Sequence, residues 1–210
     1  MKEIDNLKLY KRCLIVVDMV NGFVNEGVLH DKRIKQVLPN QLKLIKEAKA
    51  NNDLIIFIKD SHSKNAVEFA RFGNTNHCLD GSREIKNISK LKKSELIDEF
   101  KPFEGLEDTI SIKKNSTSFM EAPMFRELLL KEKALETFDV VGCCTDICVT
   151  NGVLGLANYL DENNRKHIIN VYLDAVATYN EEERSDYVEA SKILLKQQGI
   201  NLVNTTRKDR

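Results

Sequence analysis

Short apolar runs rich in branched residues alternate along this chain with longer stretches whose apolar positions recur every three or four residues. The first pattern reads as buried strands and the second as helices with one apolar face. The strand candidates are CLIVV at 13–17, LIIFI at 54–58, TISI at 109–112, TFDVVG at 137–142, HIINVYL at 167–173 and INLV at 200–203. Helical patterns lie at 33–52, 122–134, 146–164 and 181–199, the last closed by Gly199 as a C-terminal cap. Such alternation predicts repeated βαβ units: an α/β fold, with a mainly parallel six-stranded, doubly wound sheet inside a three-layer α-β-α sandwich. The segment 60–108 interrupts the alternation and carries a charged helical pattern near 90–100. Connections of that length are usually functional or disordered.

Composition narrows the possibilities. A chain of 210 residues with 42% hydrophobic and 30% charged residues can bury a full core, and no linker or repeat divides it, so a single domain over 1–210 is expected. Thirty-two basic residues balance thirty-two acidic ones, which argues against nucleic acid or an anionic membrane as partner. No apolar stretch reaches the roughly 18 residues of a membrane span, and the charged start MKEIDNLKLYKR does not read as a signal peptide. A cytoplasmic protein is expected. Its five cysteines (Cys13, Cys78, Cys143, Cys144 and Cys148) then read as free thiols, and they lack the paired spacings of a zinc site or a redox pair.

Ligands of open parallel sheets bind outside the carboxyl ends of the strands. The residues there are Asp18, Asp60, Lys113 and Lys114, the stretch Gly142 to Cys148, and Asp174. A single Asp at a strand end is commonly a helix cap. Carboxylates, amines and a thiol converging on one edge suggest a nucleophilic site instead. Cys148 falls in the first turn of a helix that Thr145 or Asp146 would cap, so the helix dipole favours its thiolate; Asp18 could take its proton. Cys143 and Cys144 read as packing or as backbone donors. A second constellation, Asp60, His62, Glu68 and His77, has the types and spacing of an open N/O metal site, although surface histidines in a loop would look alike.

The segments VVDMVNGFV, DSH…HCLDGS (ending near Gly81), KKNSTSFM and GCCTDICV resemble, in that order and spacing, the isochorismatase-like cysteine hydrolases, and among them the nicotinamidases. The resemblance runs from about 13 to 203. It implies an Asp-Lys-Cys triad of Asp18, Cys148 and a lysine, with Lys114 favoured over Lys113. It also implies a cis peptide between Cys143 and Cys144, and an oxyanion hole from the amides of Cys144 and Cys148. A divalent metal, zinc in preference to iron or manganese, would be held by Asp60, His62 and His77, with Glu68 as a fourth ligand. Phe23, Asn21 and Phe72 would contact substrate, with Phe69 as a further wall. The implied activity is hydrolysis of nicotinamide, and of its analogue pyrazinamide, through a cysteine thioester, in NAD salvage and by a homo-oligomer. The alternative is a relative acting on another amide, a carbamoyl amine or a vinyl ether. The chain departs from the nicotinamidase pattern in having no tryptophan, Ser61 after the metal aspartate, FGNTNH before His77, and Met120 where an aromatic residue is preferred.

Overall fold

The computed structural model describes residues 9–80 and 94–206. Six strands form one sheet: β1 (Arg12–Val17), β2 (Leu54–Asp60), β3 (Thr109–Lys114), β4 (Thr137–Cys143), β5 (Ile168–Ala177) and β6 (Asn201–Val203). Their order is β3-β2-β1-β4-β5-β6, and every neighbouring pair is parallel. From β1 the chain winds outward to β2 and β3, then returns to the other side of β1 for β4, β5 and β6. The direction of winding therefore reverses between β1 and β4, where such sheets open a crevice at their carboxyl ends.

Alternation along the strands builds two cores. Ile15, Val17, Ile56, Ile58, Phe138 and Val140 point to one face, where they meet Phe125 and Leu129 of α3 (Pro123–Lys131), Leu156 and Leu160 of α4 (Thr150–Glu162), and Leu195 of α5 (Ser185–Gln197). The intervening Leu14, Val16, Ile55, Phe57 and Val141 point the other way, onto Leu44 and Ile45 of α2 (Leu38–Asn51). Period-two strands buried on both faces thus give the expected three layers. The short helix α1 (Asn21–Val24) follows β1, and the described residues contain no helix long and apolar enough to cross a membrane.

Some boundaries differ from the sequence pattern, each for a local reason. The helix expected at 33–52 divides into a 3-10 stretch, Lys32–Val37, and α2. Pro39 has no N–H to continue the first and is well suited to open the second. The helix expected at 146–164 opens with a π turn, Thr145–Val149, before α4. Strand β5 runs past its expected end at 173, because a bulge shifts its pairing with β4 between Val140 and Gly142. Asp174 is consequently not a site residue: it lies inside β5, and its carboxylate accepts from the amide and hydroxyl of Thr205. Of the helical pattern near 90–100, residues 94–100 form turns, while the earlier part and Gly81 lie outside the described residues.

One glycine is dictated by the sheet itself. Gly142 has φ 124°, and a Cβ there would sit 2.1 Å from the Val17 carbonyl oxygen. Only glycine lets β4 lie this close to β1 where the crevice begins.

Candidate active site

Three adjacent strands end together at this crevice. Asp18 is the first residue past β1, Asp60 the last of β2, and Lys114 the last of β3, directly opposite Asp60 in the pairing. Asp18 adopts a left-handed backbone (φ 52°), which aspartate tolerates better than most residues, and its amide donates to the Ile58 carbonyl at 2.9 Å. The π turn after β4 brings Cys148 to the same place.

Lys114 is the hub. Its Nζ lies 2.9 Å from Asp18 Oδ2, 2.8 Å from Asp60 Oδ1 and 3.6 Å from Cys148 Sγ, and its side chain is wholly buried. Successive residues of a strand face opposite sides, so Lys113 cannot share the position. It points outward and pairs with Asp80 at 2.7 Å.

Burial and these contacts set the protonation states. Desolvation pushes Asp18 from 3.8 to about 6, raised further by Asp60 and opposed by Lys114. Asp60 goes the other way, to about 2, because Lys114 and His62 together outweigh the burial that would raise it. Burial would depress Lys114, but its two carboxylates hold it well above the usual lysine range. The Cys148 thiol is raised by burial, with Lys114 pulling against that rise.

The second oxygen of Asp60 faces two imidazoles. His62 Nε2 lies 2.9 Å and His77 Nε2 3.6 Å from Asp60 Oδ2. Each ring's Nδ1 is engaged elsewhere, His62 with Asn115 Oδ1 at 2.8 Å and His77 with the Thr75 carbonyl at 3.0 Å. Oxygen partners on Nδ1 leave each Nε2 turned toward Asp60, the orientation seen in metal-ligating histidines. His62 Nε2 is buried and makes no hydrogen bond. One donor atom from each of Asp60, His62 and His77 falls within 4.8 Å of the others, and all three residues are buried. Two imidazoles and a carboxylate in this arrangement suit a divalent metal ion.

Glu68, the fourth expected ligand, lies outside that three-residue cluster. It stands on the 3-10 turn Val67–Phe72, where side chains three apart eclipse, and Arg71 draws it into an ion pair at 3.4 Å. Its carboxylate nevertheless borders the same cavity as Asp60 and His77.

That cavity, about 20 Å³, joins the metal cluster to Cys148 and Cys144. Phe23 and Phe72 line it, with ring centroids 5.9 and 5.4 Å from His77. Phe69 packs edge-on against both histidines at 5.2 Å. Asn21 is absent from the lining; its oxygen accepts from Asn25 and its amide approaches the Leu96 carbonyl. Met120 lies against Gly155 of α4, in the core. Phe72, Tyr179, Leu29, Ile147 and Thr117 border both the cavity and an open hollow of about 560 Å³ outside it.

The peptide between Cys143 and Cys144 is cis. Cys143 is buried, and its thiol donates to the Asp18 carbonyl at 3.2 Å. Neither Thr145 nor Asp146 caps the turn. Cys144 occupies the cap position, the Thr145 carbonyl takes the Thr150 hydroxyl at 2.6 Å, and Asp146 points to Thr178 and Arg184.

The isochorismatase domain matches residues 12–205, nearly the whole chain. The chain belongs to the isochorismatase domain family. Among curated relatives, Nicotinamidase 1 of Arabidopsis thaliana is 28% identical over 149 residues, which cover 65% of this chain and 56% of that protein. Among solved structures, N-carbamoylsarcosine amidase from Thermoplasma acidophilum is similar with a TM-score of 0.70 at 23% identity, covering 95% of this chain and 99% of the other. The pyrazinamidase of Pyrococcus horikoshii, solved in complex with zinc, is similar with a TM-score of 0.68 at 22% identity, covering 92% and 99%. The chain is thus an isochorismatase-like hydrolase in family and in fold.

Sequence reading missed Asn115, which orients His62, and Tyr179, which walls the cavity. Asn115 follows Lys114 directly and could have been found by inspecting one more residue past β3. Tyr179 was hidden because the apolar run of β5 breaks at Asp174, before the strand ends.

Proposed function

We propose that the protein is a metal-dependent nicotinamidase, hydrolysing nicotinamide to nicotinate and ammonia through a thioester on Cys148. The observation that carries this reading is the position of Lys114, whose one ammonium touches Asp18, Asp60 and Cys148. A nucleophile and a metal cluster are thereby joined through a single buried cation.

The residues divide the work as follows. Asp18, with its carboxyl near 6, is ionised at neutral pH yet basic enough to take the Cys148 proton. Lys114 balances the negative charge that passes between the thiol and Asp18. Cys148 Sγ attacks the carboxamide carbon, and the resulting oxyanion accepts from the backbone N–H groups of Cys144 and Cys148. Asp18 returns the proton to the departing ammonia. It then deprotonates the water that hydrolyses the thioester, and the thiol is restored. Asp60, His62 and His77 would hold the divalent ion, with zinc favoured by their donor set; when bound it supplies a Lewis-acid contact for the pyridine nitrogen. Phe23 and Phe72 flank the ring. Phe72 and Tyr179 border both cavity and hollow, so a ring entering from the hollow would pass them. An enzyme of this kind would serve NAD salvage in the cytoplasm.

The narrowness of the cavity favours a second reading, in which a smaller carbamoyl amine is the substrate. Turnover of nicotinamide quenched in acid separates the two. The expected result is a nicotinoyl group on the Cys148 peptide, found by mass spectrometry and absent from Cys148→Ala. An adduct from a carbamoyl amine alone supports the second reading, and undiminished hydrolysis by Cys148→Ala overturns both.

A further inference from the structure

We propose that Arg184 is a positioning residue for Cys148, acting through the carboxylate of Asp146; the proposal rests on the reading of Cys148 as nucleophile. Asp146 and Cys148 share the π turn Thr145–Val149 but serve different partners, Cys148 lining the inner cavity beside Lys114 and Asp146 bonding to Thr178 and Arg184. The Asp146 side chain is completely buried. Its Oδ1 accepts from the Thr178 hydroxyl at 2.7 Å, and its Oδ2 from Arg184 Nε at 2.9 Å and the Arg184 NH2 group at 2.5 Å.

These bonds come from outside the turn. Thr178 follows β5, and Arg184 immediately precedes α5. Arg184 is itself held by two tyrosines. Its guanidinium lies over the rings of Tyr179 at 4.8 Å and Tyr187 at 5.1 Å, and it donates to the Tyr179 hydroxyl at 3.2 Å. A planar fork stacked on aromatic rings holds a carboxylate in direction as well as in distance, which a lysine cannot do.

The turn needs such an anchor. It is a single π turn without a side-chain cap, a conformation with little stability of its own. Cys148 lies two residues beyond Asp146, and its Sγ must hold the 3.6 Å approach to Lys114. A displacement of about 1 Å at a reacting atom can cost about a hundredfold in rate. The Asp146–Arg184 pair therefore fixes the nucleophile from behind, without touching substrate.

The test compares Arg184→Lys and Arg184→Gln with the full-length, metal-loaded wild type. Readouts are kcat and KM for nicotinamide, thermal midpoint, and the rate at which iodoacetamide alkylates Cys148, followed by peptide mass spectrometry. In Arg184→Lys, which keeps the charge and loses the fork, kcat should fall about 10- to 100-fold with KM within about twofold. Cys148 alkylation should slow in parallel, and Arg184→Gln should be slower than Arg184→Lys on both counts. Unchanged kcat and alkylation in a folded Arg184→Lys protein would overturn the proposal, as would a loss confined to KM. If the wild type releases no ammonia from nicotinamide, the substrate reading fails, while the alkylation rates still decide the role of Arg184.

Discussion

Lys114 shows how one side chain can make a buried site chemically consistent. Two carboxylates and a thiol, all removed from water, surround it, and no other cation touches Asp18 among the described contacts. Breaking a buried ion pair by removing one partner typically costs about 3–5 kcal/mol. Lys114→Ala is expected to lose about that much stability in denaturant unfolding and to lose activity, whereas Lys113→Ala, which removes only an exposed pair with Asp80, should change neither measurably. Equal effects of the two substitutions would contradict the assignment. The sequence favoured Lys114 only through the family resemblance, because both lysines end the same strand and the pleat decides which faces inward. As the proposed base, Asp18 would carry the pH dependence. Its carboxyl lies near 6, and the base form is the carboxylate, so protonation removes activity as pH falls. The value of kcat/KM should drop about tenfold per pH unit below about 6 and be level just above it. A level profile down to pH 4 would exclude Asp18 as the base.

At the scale of elements, the strand ends matter more than the helices. All six strands and the four longer helices were legible, the inner strands β1, β2 and β4 most clearly, because burial on both sheet faces gives near-continuous apolar runs. Boundaries were less legible where tertiary contacts override the pattern. The bulge opposite Val140 and Gly142 carries β5 through the polar Asp174, and this conceals Thr178 and Tyr179 at its true end. Glu68 has the chemistry of a ligand, but the 3-10 turn that places it beside Arg71 has no apolar periodicity to announce it. Asn21 lies in the expected motif and accepts from Asn25 of the same turn. Gly142 makes the element-scale prediction. A Cβ at that position would overlap backbone and not a side chain that could swing aside. Gly142→Ala should therefore cost on the order of 3 kcal/mol or more, read as a lower thermal midpoint. A midpoint within a degree of wild type would show that β1 and β4 can separate there.

For the whole molecule, the point where the winding of the sheet reverses assembles the site from β1, β2, β3 and the turn after β4, segments from Asp18 to Cys148 in the chain. The family and the fold leave the substrate open, and the link from Lys114 through Asp60 to the histidines is what supports the proposed reading, an amide on a metal-oriented ring. Ammonia release from nicotinamide by the purified protein, before chelation, after it and after readdition of zinc, tests that link most directly. Release should vanish on chelation and return with the metal. Release untouched by chelation, or none from the zinc-loaded protein, would contradict the account.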